Sequence, residues 1–83
     1  MQLVYFAWVR TRIGKDAETL AVPAGMMTVS ELLDWLAVRS PGHAAALEDR
    51  SAIKVAVDQQ FAGPDTSIAG ASEIAIFPPV TGG

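Results

Sequence analysis

The sequence predicts an α+β fold in which one main helix packs on one face of a mixed β-sheet. Three observations predict it: β-branched and aromatic runs near both ends, one capped amphipathic stretch between them, and a length too short for a second core. The chain has 83 residues, 51% apolar and 18% charged, which describes a single domain. At ~0.05–0.15 kcal/mol per residue, its expected stability is only ~4–12 kcal/mol. The length excludes a large enzyme.

Residues 2–9 (Gln2-Leu3-Val4-Tyr5-Phe6-Ala7-Trp8-Val9) are apolar on both alternations, as expected of a strand buried on both faces near the centre of a sheet. The polar stretch Arg10 to Asp16 contains Gly14, suited to positive φ, and leads into Glu18-Thr19-Leu20-Ala21-Val22. These two runs read as a hairpin, stopped by Pro23 and Gly25. Thr28-Val29-Ser30-Glu31 is a capping box. Beyond it Val29, Leu32, Leu33, Leu36 and Ala37 fall at helical spacing, with Ser30, Glu31, Asp34 and Arg39 on the other face. Pro41-Gly42 is expected to end this helix, with a short second turn from Ala44 to Leu47. Ile53 to Asp58 and Glu73 to Phe77 alternate as strands, with a short extra strand near Gln60-Phe61 and a loop marked by Gly63-Pro64-Asp65 and Gly70. The order is β-β-α-β-β. With the last strand parallel beside the first, the connection is right-handed, giving the ubiquitin-like β-grasp plan. A ferredoxin-like fold would need a second full helix, and too few helically spaced residues lie between Gly42 and Ser51 for one.

Composition removes several classes of chemistry. Without cysteine there is no disulfide, thiolate nucleophile or zinc–thiolate site, and an intracellular protein is expected. A net charge of −3 argues against a nucleic-acid partner. The lone histidine, His43, gives little scope for metal or acid–base schemes and is expected to be a solvated loop or helix-cap residue. No apolar run reaches the ~20 residues of a membrane helix, and the start lacks a basic signal-peptide region, so the cytoplasm is the expected location and no membrane partner is expected. Trp35 lies off the apolar stripe, at a helix edge. Asp49 and Asp65 read as turn residues.

The end of the chain is different. Phe77-Pro78-Pro79-Val80-Thr81-Gly82-Gly83 stops a strand at two prolines, which supply no backbone donors and favour extended structure. The division is a domain over 1–77 and an extended tail over 78–83. At ~3.3–3.6 Å per residue the tail reaches ~20 Å, enough to enter a partner's cleft. Its last two residues lack side chains, so a narrow channel admits them and a reactive group can approach the terminal carboxylate.

On these residues the chain resembles the MoaD-type sulfur carriers that form the small subunit of molybdopterin synthase. The resemblance covers nearly the whole chain. It rests on Phe6-Ala7-Trp8-Val9-Arg10, Ala46-Leu47-Glu48-Asp49, Val57-Asp58-Gln59, Glu73-Ile74-Ala75-Ile76-Phe77 and, above all, the Pro-Pro-Val-Thr-Gly-Gly terminus. The family often has asparagine at Asp58 and an acidic pair around the glycine of Ala69-Gly70-Ala71.

The resemblance implies that an E1-like enzyme uses ATP to adenylate Gly83, that a sulfur donor converts it to a thiocarboxylate, and that the tail then enters the large synthase subunit. There sulfur passes to cyclic pyranopterin monophosphate. The resemblance further implies that the carrier binds no cofactor, that catalytic side chains belong to the large subunit, and that two small and two large subunits form a heterotetramer. Phe6, Arg10, Phe61 and Phe77 match family positions that face the large subunit. As ordinary core residues, the phenylalanines would have no such role. Rival readings are a carrier for thiamine, cysteine or tRNA thiolation, a protein modifier joined to lysines through Gly83, and a binding module that does not use its terminus.

Overall fold

The computed structural model describes residues 1–79. Strand β1 (Gln2–Tyr5) turns Leu3 and Tyr5 into the core. It does not run on to Val9, as the sequence suggests, because the chain enters helix α1 (Ala7–Ile13) after Phe6. The reason lies in the partner strand. β1 pairs in parallel with β5 (Glu73–Phe77), and β5 gives way to Pro78-Pro79, which have no N–H to extend the ladder. Past Phe6 the backbone satisfies its own polar groups as a helix, carrying Val9 and Ile13 into the core. Gly14 has the expected positive φ, 92°, but closes α1 with its N–H on Arg10 O at 2.8 Å instead of turning a tight hairpin.

Strand β2 (Ala17–Thr19) pairs antiparallel with β1, so the hairpin topology holds, although the strand stops three residues before Val22. Helix α2 (Val29–Ala37) starts at the expected cap: Thr28 Oγ1 accepts from the Glu31 N–H at 3.2 Å and donates to the Glu31 carboxylate at 3.1 Å. Val29, Leu32, Leu33 and Leu36 are buried. Pro41-Gly42 does not end this helix. It opens a further one, α3 (Pro41–Ala46), with Pro41 in the first turn and Ser40 Oγ accepting from the His43 N–H at 3.1 Å. A 3₁₀ turn at Arg50–Ala52 follows, capped by Asp49, which accepts from the Ser51 N–H as a turn-forming aspartate should.

Strands β3 (Lys54–Val57) and β4 (Gln60–Ala62) are joined through Asp58 and Gln59, both at positive φ, 47° and 71°. The sheet order is β2-β1-β5-β3-β4. Thus the last strand is central, parallel to β1 and antiparallel to β3, and the β-grasp plan with adjacent parallel first and last strands is confirmed.

All three helices contribute to one core, on one side of the sheet. Leu3, Tyr5, Val55, Ile74 and Ile76 from the strands meet Val9, Leu32, Leu36 and Ala46 from the helices. Helix α3 approaches α1 so closely that a Cβ on Gly42 would lie 2.5 Å from Arg12 O.

His43 is not the solvated residue the sequence suggests. It is only 4% exposed, edge-on to the Tyr5 ring with centroids 6.1 Å apart. Its Nε2 lies 2.7 Å from Glu18 Oε2 and its Nδ1 2.7 Å from Ser40 Oγ. The helix that buries it was signalled by Ser40-Pro41, a cap residue before a first-turn proline.

Candidate functional site

The helices leave the opposite sheet face uncovered. Directly paired residues share a face, so the register Ala17↔Val4↔Ala75↔Ala56↔Phe61 places small apolar residues in a row ending at an aromatic ring. A second row, nearer the tail, contains Lys54↔Phe77. Phe6 closes the β1–β5 ladder with its N–H on Ile76 O at 3.1 Å. Arg10 sits one helical turn beyond it, exposed.

The aromatic residues of this region stay outside the core cluster. Phe61 is 82% exposed and Phe6 48%, while Phe77 is half-buried. Large exposed rings are unusual on a small domain, where burying one contributes ~1.5–3 kcal/mol. Phe61 and Phe77 lean together with ring centroids 5.9 Å apart. With Lys54 and Gly63 they line an open, mainly apolar cleft of about 450 Å³.

Phe6, Arg10, Phe61 and Phe77 therefore surround the place where the chain leaves the sheet. Pro78 and Pro79 are half-buried and outside any regular element, so the strand ends at the prolines as expected. Val80, Thr81, Gly82 and Gly83 lie outside the described residues. Among the described residues no group of three or more His, Cys, Asp or Glu side chains could hold a metal ion, and no helix is long and apolar enough to cross a membrane. Sequence reasoning did not include Lys54 in this region. Alternation alone puts it on the face of Ala56, but only the register puts it opposite Phe77.

The model of the ThiS family matches residues 3–83. The chain belongs to this family. The chain is also similar over its full length to the molybdopterin synthase sulfur carrier subunits of Escherichia coli K12, 39% identical, and of Haemophilus influenzae, 32% identical, each over 100% of this chain and 99% of the relative. Solved structures share the fold. A Pyrococcus furiosus protein described as molybdopterin converting factor, subunit 1, superposes with a TM-score of 0.77 at 25% identity over 95% of each chain. Small archaeal modifier protein 1 of H. volcanii gives 0.72 at 29% identity, over 96% of this chain and 97% of that one.

Proposed function

We propose that this chain is the sulfur carrier subunit of a molybdopterin synthase and that Gly83 is its reactive residue. The observation that carries the reading is the position of β5: the central strand delivers Pro78-Pro79 from the middle of an uncovered apolar face. Such a face suits a large partner subunit, and such an exit suits a tail that enters it. The names of the full-length relatives support the same assignment and favour it over thiamine synthesis.

A carboxylate is a poor electrophile. In the proposed cycle the Gly83 carboxylate attacks the α-phosphorus of ATP on an adenylating enzyme and expels pyrophosphate. A donor at the sulfide level then adds to the acyl carbon and AMP leaves, giving a thiocarboxylate. That sulfur attacks a carbon of the pterin precursor in the large subunit, where a C–S bond forms as a C–O bond breaks and the oxygen leaves. Hydrolysis of the resulting thioester leaves the sulfur on the precursor and restores the carboxylate. The carrier holds no catalytic side chain. It supplies position, and Phe6, Phe61, Phe77 and Arg10 supply docking.

The test is the intact mass of the chain after incubation with the adenylating enzyme, ATP and a sulfide donor, followed by an assay on the pterin precursor. Exchange of one oxygen for sulfur at Gly83, and product formation, are expected. Deleting Gly83 displaces the carboxylate by ~3.5 Å, and as misplacement of ~1 Å can cost ~100-fold, both signals vanish while the melting temperature stays unchanged. The likeness to small archaeal modifier protein 1 favours one second reading, a protein modifier. Isopeptide-linked conjugates in place of sulfur transfer would establish it.

A further inference from the structure

The chain carries more acidic than basic residues, and its six basic residues are not used alike. Lys15 pairs with Glu18, and Arg50 with Asp34 and Leu47 O. Arg12 lies over the Trp8 ring and Arg39 over the Trp35 ring, at 4.5 and 5.0 Å. Among the described residues, Arg10 and Lys54 have neither a side-chain hydrogen bond nor an ion pair nor an aromatic ring beneath them. These two flank the root of the tail, Arg10 beyond Phe6 on the β1 side and Lys54 opposite Phe77 on the β3 side.

Lys54 has no evident structural task. Lysine is depleted in strands, and a lysine that blunts an open sheet edge belongs on an edge strand. Its strand, β3, lies between β5 and β4. Lys54 lines the Phe61–Phe77 cleft, while the other end of the same face is acidic, with Glu73 at the start of β5 and Asp58 beyond β3. An acidic chain with its two unpaired cations on either side of an apolar patch has the charge pattern of a contact for an acidic, apolar-centred surface.

We infer that Lys54 is a specificity-determining docking residue, and that the protein receiving the tail places a carboxylate against it while an apolar side chain fills the cleft between Phe61 and Phe77. The inference rests on the docking face of the proposed function and adds the chemistry of the partner: acid on the β3 side of the tail as well as on the Arg10 side.

The experiment is calorimetric titration of the cognate large synthase subunit with the full chain, in low and high salt. Lys54→Gln should weaken binding about five- to tenfold at low salt, and the deficit should shrink at ~0.5 M salt, where the Debye length falls to a few ångströms. Lys54→Arg should bind as the parent chain does. Val38→Glu, at a position 83% exposed on the helical side, adds the same unit of negative charge to the net −3 and should leave binding unchanged. Parental affinity of Lys54→Gln while Phe61→Ala binds weakly overturns the role of Lys54 and leaves the docking face standing. Parental affinity of both shows that the docking face itself is wrong. A salt-independent loss in Lys54→Gln, or an equal loss in Val38→Glu, also overturns the inference.

Discussion

The Glu18 carboxylate joins two buried partners: Oε2 lies 2.7 Å from His43 Nε2 and accepts the Tyr5 hydroxyl at 2.6 Å. Strands β1 and β2 are thereby tied to helix α3. Burial alone would raise the Glu18 pKa, but hydrogen bonds from Tyr5 and His43, with the charges of His43 and Lys15, outweigh it and hold the carboxyl below its ordinary value. A lowered folded-state value means the stabilisation is complete above the unfolded-state value and is lost as pH falls through the folded one. The melting temperature should therefore drop in acid, below about pH 4, and Glu18→Gln should remove this component. Tyr5 is shifted upward, first by burial and then by its bond to Glu18 and that carboxylate's charge, against the opposing charge of Arg39. Its contribution is complete below the ordinary tyrosine range and declines as pH rises beyond it. Tyr5→Phe should cost about 1–2 kcal/mol at neutral pH by urea denaturation.

Gly42→Ala tests the contact between α1 and α3. Inside a helix this change normally stabilises by about 1 kcal/mol. Here the new methyl would meet the backbone oxygen of Arg12 at 2.5 Å, and backbone does not yield as a flexible side chain does. Overpacking should dominate, with a net loss of about 1–3 kcal/mol measured by chemical denaturation.

Asp58 occupies a left-handed turn position and its Oδ1 accepts the N–H groups of Ser72 and Glu73, both at 2.9 Å. Asparagine keeps a carbonyl oxygen and tolerates the same backbone. Asp58→Asn should thus be nearly neutral, whereas Asp58→Ala should lose about 1–3 kcal/mol. Thermal melts of the two variants separate the role of the oxygen from that of the charge.

Phe61→Ala should barely change the melting temperature, because the ring is 82% exposed. Binding to the large subunit should fall by more than about tenfold, as for an aromatic interface anchor. Equal losses in folding and binding would instead show a structural role for the ring.

The strands Ile53–Asp58 and Glu73–Phe77, the capped helix and the parallel first and last strands were legible because alternation and capping are local signals. Helix α1 was not. Phe6-Ala7-Trp8-Val9 has strand-like residues, and what turns it into a helix is the end of a hydrogen-bonding partner more than sixty residues later in the chain. Ala7, at φ 53°, takes a backbone conformation that propensity gives no reason to expect at alanine. The burial of His43 is hidden from the local sequence for the same kind of reason: its carboxylate partner, Glu18, is 25 residues away and meets it only once β2 and α3 are packed together. At the candidate site, Phe6, Arg10, Phe61 and Phe77 are named by the family resemblance, whereas the place of Lys54 beside Phe77 needs the strand register.

The central place of β5 has a mechanical consequence. A partner that draws on the end of the chain pulls β5 along its own axis, and the strand is held on both sides, by β1 over the pairs Gln2↔Glu73 to Tyr5↔Ile76 and by β3 over Lys54↔Phe77 to Val57↔Ile74. Load applied this way is shared in shear by both ladders, whose bonds must yield together, whereas an edge strand pulled sideways would peel bond by bond. Forced opening is governed by the unfolding rate, and this geometry keeps that rate low under tension. Tension on the end of β5 is therefore borne by the body as a whole, without peeling of a single ladder.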